Sequence, residues 1–97
     1  MFPSAPPESA VSGEYMKAVV VAYNAFVSEQ RIPDKKRLIE NYTIAFRQDG
    51  RAYYIFFVPK FPPGEKGMVG GENELGVSVT YAVSKSDYSI IRNQFYK

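Results

Sequence analysis

The chain has 97 residues, 45% hydrophobic and 23% charged, which supplies one packed core and leaves no room for a second domain. It contains no Cys and no His, so disulfides, Cys/His zinc sites, thiol nucleophiles and imidazole-based triads are excluded. Twelve basic against ten acidic residues leave a formal charge of +2, too weak a field for sequence-independent nucleic-acid binding.

No apolar run reaches the ~18–20 residues that cross a bilayer as a helix. The longest, residues 18 to 27, is interrupted by Asn24, so no membrane span is expected. Residues 1 to 12 hold three of the seven prolines without apolar periodicity and read as a flexible tail. Met1-Phe2-Pro3-Ser4-Ala5-Pro6-Pro7 lacks the basic and apolar regions of a signal peptide. A Pro/Ser/Ala stretch of this kind is a common tether after an export signal. A periplasmic or secreted location is expected if such a signal was removed, and a cytoplasmic one otherwise.

The single domain is expected over residues 13 to 97. Ser12 reads as an N-cap and Glu14 as a first-turn anion, opening a helix that runs to about Gln30 and is stopped by Pro33. Tyr15, Val19, Ala22, Tyr23 and Phe26 follow helical spacing and form a wide core face, completed by Gln30 or Ile32. Val19-Val20-Val21 favours a strand locally, but the segment is too long for one and has no internal Gly or Pro. Arg31, Lys35, Lys36 and Arg37 then form a basic connector, and cations there suit the negative end of the helix.

Beyond the connector the apolar period changes to two. Asp49-Gly50 is a strong signal for a two-residue type I′ turn, which needs positive φ at both central positions. Pairing outward from it sets Gln48 opposite Arg51, Phe46 opposite Tyr53, Ile44 opposite Ile55 and Tyr42 opposite Phe57, which places six bulky apolar side chains toward the helix. The reverse face carries Thr43, Ala45 and Arg47 beside Ala52, Tyr54, Phe56 and Val58. Residues 59 to 75 contain three prolines and four glycines without a period and read as a long loop, a length usually kept for a use. A third strand is expected at about 76 to 84. A three-residue turn, Lys85-Ser86-Asp87, leads to a fourth from Tyr88 to Tyr96, with Ile91 and Phe95 in the core.

The predicted fold class is α+β, a two-layer domain in which one long N-terminal helix packs on a curved four-stranded antiparallel meander. That order, together with the stretch Gly70-Gly71-Glu72 and the run Val79-Thr80-Tyr81-Ala82-Val83-Ser84-Lys85-Ser86-Asp87-Tyr88-Ser89-Ile90-Ile91, resembles cystatin-like and small NTF2-like proteins. Among these are secreted bacterial immunity proteins that neutralise a toxin. The resemblance covers about the last third of the chain and departs from it at Tyr88, where that hairpin prefers glycine. The Gln-x-Val-x-Gly hairpin and Pro-Trp loop of protease-inhibiting cystatins are absent.

The sites follow from these elements. Tyr54 and Phe56 on the reverse face offer large rigid contact area, Arg47 adds a charge beside them, and Phe61 and Met68 give the loop apolar contacts. Arg51 to Val58 is similar to an RNA-stacking strand only at Arg51 and Tyr53, and one helix cannot complete that fold. Glu40, Asp49, Glu72, Glu74 and Asp87 are the carboxylates an acid/base enzyme would draw on. Asp49 and Asp87 are already accounted for as turn residues, and Glu72-Asn73-Glu74 lacks a calcium-loop framework. Asn41-Tyr42-Thr43 is a sequon placed within a strand.

The expected function is therefore that of a non-enzymatic module that binds another protein, an inhibitor or immunity protein acting by occlusion, with no cofactor, no metal and no nucleic acid. The alternative is an assembly subunit, as a homodimer or part of a larger complex; the third reading is a small-ligand carrier.

Overall fold

A computed structural model describes residues 10–60 and 75–96 of the chain. Helix α1 spans Gly13–Val27, and four strands follow: β1 (Tyr42–Gln48), β2 (Ala52–Pro59), β3 (Val79–Ser84) and β4 (Ile90–Phe95). They form one antiparallel sheet in the order β1-β2-β3-β4, with α1 lying against the two central strands. The protein is a small α+β fold, as its periodicities predict. The expected tail falls mostly on residues 1 to 9, and the expected loop mostly on 61 to 74, outside the described residues.

Ser12 does cap α1, its hydroxyl accepting from the Tyr15 N–H at 3.2 Å, with Glu14 in the first turn. The helix ends three residues short of Gln30. The Ser28 hydroxyl turns back onto the Asn24 carbonyl at 2.9 Å, and the chain bends so that Ile32, rather than Gln30, enters the core. Arg37 crosses the connector and donates to the Val27 carbonyl at 2.7 Å, so a cation does meet the negative helix end.

Ala18, Ala22 and Phe26 are fully buried at spacings of four, which is one helical stripe. The two alanines bring the helix close, and Phe26 stacks on Phe57 with ring centroids 4.6 Å apart and planes within 5°. Tyr15 meets Tyr53 at 5.2 Å near the start of β2, whereas Phe57 lies near its end, so α1 runs parallel to β2. The lengths agree: eleven helical residues rise about 16 Å and four strand residues about 13 Å.

The first hairpin pairs two residues out of the expected register. Phe46 lies opposite Ile55 and Ile44 opposite Phe57, and the loop residues are Gly50 and Arg51. Neither has positive φ, so the turn is not type I′. Asp49 decides this, because its carboxylate accepts from the Arg51 and Ala52 N–H groups at 2.8 and 2.9 Å, which suits Asp at the first corner of the turn. A slip of two leaves every side chain on its predicted face.

The second hairpin corrects a three-residue loop to four, Lys85 to Tyr88, closed by the Ser84 N–H on the Ser89 carbonyl at 2.8 Å. Alone this would invert β4. A bulge restores it: Val83 faces Ile90 but Ala82 faces Arg92, so the ladder skips Ile91. Phe95 therefore packs against the core as expected, while Ile91 is 55% exposed rather than buried. Tyr88 adopts φ 60°, a conformation that suits glycine better. Its ring stacks on Tyr53 at 6.0 Å beneath the Lys17 ammonium at 4.4 Å, contacts that offset the strain.

Two buried phenols behave differently. Tyr42 donates to the Lys36 carbonyl at 2.6 Å and accepts from the Val77 N–H at 2.8 Å, tying the approach to β1 to the approach to β3. A Cβ on Gly76 would overlap this ring, so only glycine fits there. The Tyr81 hydroxyl is buried without a partner among the described residues, and burial pushes its pKa up to about 12, with the Glu29 charge adding to the rise. Tyr42→Phe should lower stability by about 1–3 kcal/mol, whereas Tyr81→Phe should leave it unchanged or raise it. Urea unfolding of the two variants checks the opposite signs.

Candidate binding face

The face of the sheet turned away from α1 is built from alternate residues of all four strands. The registers align them in rows: Arg47, Tyr54, Ala82 and Arg92 form one, and Ala45, Phe56, Thr80 and Gln94 the next. Large side chains stand on β2 and β4, with Ala82 and Thr80 small between them. The result is a shallow concavity of about 260 Å³, reached also by Asn93 and Tyr96. Ala82 and Thr80 are buried at its floor although no other layer covers them among the described residues, because the taller neighbours shade them.

Arg47, Tyr54 and Phe56 are thus brought together as the alternation predicts. Phe61 and Met68 lie outside the described residues, as do Glu72 and Glu74. Arg92, Thr80 and Tyr96 belong to the same concavity but are missed by strand-by-strand reading. The signal for them is the pair of small residues Thr80 and Ala82 on β3, which leaves space, with the β4 partners set by the bulge.

Tyr54 is fixed rather than free. Its hydroxyl donates to Asp49 at 2.8 Å, and that hydrogen bond holds the phenol pKa above its usual range. The Asp49 carboxyl lies below the ordinary range, first through the Arg51 N–H and then through the Tyr54 hydroxyl and the Ala52 N–H. The turn therefore orients a ring of the open face. Arg47 and Arg92 end their row on opposite sides, three strand spacings or about 14 Å apart along the backbone. Neither forms an ion pair among the described residues. Thr80 donates to the Tyr96 hydroxyl at 3.3 Å across the floor. Electrostatically the face presents two cations over an aromatic and hydroxylated base.

A second depression lies on the helix side. Val19, Val20, Tyr23, Ile39, Ile44 and Phe57 line a groove of about 240 Å³ between α1 and β1, without a charged side chain. Among the described residues no three carboxylates gather in a metal-holding arrangement, and no helix is long and apolar enough to cross a membrane.

No family model, no curated protein and no solved structure matches this chain.

Asp87 is held below the ordinary carboxylate range in the same manner as Asp49, first by the Ser89 hydroxyl and then by its N–H. For a depressed carboxyl, the stabilisation is fully present above the unfolded pKa and is lost as pH falls through the folded one. Thermal midpoints should therefore drop as pH falls through and below the ordinary carboxylate range. Asp49→Asn and Asp87→Asn should each make that acid limb shallower. A midpoint-versus-pH series of the three proteins reads this.

Proposed function

We propose that the protein is a non-enzymatic binding module that occludes a partner protein through the open face of its sheet. The observation that carries this reading is the pair of arginines without ion partners among the described residues, Arg47 and Arg92, flanking Tyr54, Phe56 and Tyr96 in one concavity. Arg and Tyr are among the side chains that dominate protein interfaces, Phe is enriched there, and a held ring loses little entropy on binding. The two cations favour an acidic patch on the partner. They would speed encounter and set orientation more than they would add affinity.

An inhibitor or immunity protein of bacterial, exported type is the most concrete form of this proposal, and the cystatin-like or NTF2-like order of elements supports it by resemblance alone. No step of covalent chemistry is required of the face. Among the described residues its charged groups are two arginines and the Asp49 carboxylate, and the latter is already engaged by the turn and by Tyr54.

The test uses the full chain as immobilised bait in an extract of its native cell, with the captured partner then titrated against purified variants. Phe56→Ala and Arg92→Ala should each weaken binding by about tenfold or more, as truncated interface anchors do. Rising salt should slow association, the Arg92→Ala variant showing the smaller dependence. Unchanged affinity in Arg47→Ala, Tyr54→Ala, Phe56→Ala and Arg92→Ala alike would clear the face of this role.

A further inference from the structure

The two edges of the sheet are built differently. β4 carries the bulge between Ile90 and Arg92 and the polar run Arg92-Asn93-Gln94, devices that discourage another strand from adding. β1 has none of these. It pairs without interruption from Tyr42 opposite Pro59 to Gln48 opposite Tyr53, contains no Pro or Gly, and bears one charge, Arg47.

The direction of its backbone groups follows from the ends of the ladder. The Asn41 carbonyl accepts from the Lys60 N–H at 2.8 Å, and the Asp49 N–H donates to the Ala52 carbonyl at 3.1 Å. Positions 41 and 49 therefore bond on the β2 side, and in a strand this alternates, so the odd residues between them face β2. The N–H and C=O groups of Ile44, Phe46 and Gln48 point out of the sheet, and none has a backbone partner among the described residues. Beside this edge Phe46 is 42% exposed and Val20 49%, and the apolar groove lies between α1 and Ile44.

We propose that β1 pairs antiparallel with β1 of a second copy, about a twofold axis through Ala45, to form a continuous eight-stranded sheet. The edge complements itself in this register. Ile44 faces Phe46 of the second copy as a hydrogen-bonded pair, and the symmetry repeats the contact. Arg47 faces Thr43 of the second copy on the open side, so no like charges meet. Centring on Ile44 instead would set Phe46 against Tyr42, whose N–H already bonds to the Ile39 carbonyl, whereas the Ala45 register meets Tyr42 only at its outermost pair, with Gln48. Centring on Phe46 would set Ile44 against Gln48. The Ala45 register alone matches outward backbone groups, apolar pairs and charge together. Ile44 and Phe46 of both copies then meet at the mouths of the grooves, beside exposed apolar surface, and the interface is isologous.

The proposal concerns the edge, not the open face, so either can fail without the other. Sedimentation equilibrium on the full chain gives the dimer dissociation constant. Thr43→Arg, at an exposed position, sets the introduced guanidinium against Arg47 of the second copy, twice per dimer, and should weaken association by about tenfold. Thr43→Glu should tighten it, and Thr43→Arg combined with Arg47→Glu should restore it. Amide exchange at Ile44 and Phe46 should slow as concentration rises. A chain that stays monomeric at millimolar concentration overturns the proposal, as does a dimer indifferent to all three substitutions.

Discussion

The stacking of Phe26 on Phe57 holds the two layers together. Both rings are buried, they lie nearly parallel, and Tyr42 and Tyr81 close on them edge-on at 4.9 and 5.7 Å. Four aromatic side chains from α1, β1, β2 and β3 thereby share one contact, and these geometries add to the area term of burial. Because Ala18 and Ala22 are small, the rest of the helix can follow Phe26 down onto β2 without tilting away. The helix is consequently set along the centre of the sheet, and one helix about 10–12 Å wide cannot cover four strands spaced about 4.8 Å apart. The strip beside β1 that no described residue covers is a consequence of that width, and the groove at Ile44 occupies it.

The two faces of the sheet use opposite solutions to the same packing problem. Toward α1, bulky residues on β1, β2 and β3 interlock with the helix. Away from it, β3 presents Thr80 and Ala82, and the relief of the surface comes from the strands on either side. A hydroxyl or a methyl at the centre of a sheet costs little when it is partly shaded. It creates a depression whose walls are a tyrosine, a phenylalanine and an arginine. The Asp49 carboxylate links this face to the turn, since the same group that closes the hairpin also holds the Tyr54 hydroxyl.

Much of this architecture is legible in the residues, because face assignment depends only on parity. The expected first hairpin is misplaced by two residues and still sorts Tyr42, Ile44 and Phe46 from Thr43, Ala45 and Arg47 correctly. A type I′ turn follows only if Asp-Gly is the loop itself, whereas the Asp49 side chain prefers the corner before it. The second hairpin contains two departures that cancel, a longer turn and a bulge, so parity places Phe95 rightly and Ile91 wrongly. No local pattern announces a bulge in Ile90-Ile91-Arg92. Helical spacing overruns the end of α1 because the burial of Ile32, a tertiary demand, outweighs it. Of the candidate face, the part on β1 and β2 can be read from alternation, while the contribution of β4 requires knowing where the ladder skips.

The ladder between β2 and β3 begins at Phe57 and Val79, although β2 and β3 are neighbours in sequence order. Every other pair of adjacent strands is joined by a short turn and can zip from its hairpin. This one must bring together residues more than twenty apart before its first pair forms, which makes it the entropic bottleneck of folding. Closure entropy grows only with the logarithm of loop length, about 0.6 kcal/mol per doubling. Natural insertions or engineered cargo between β2 and β3 should thus tax stability lightly, whereas a cut there would separate the helix and first hairpin from the strands that complete their core.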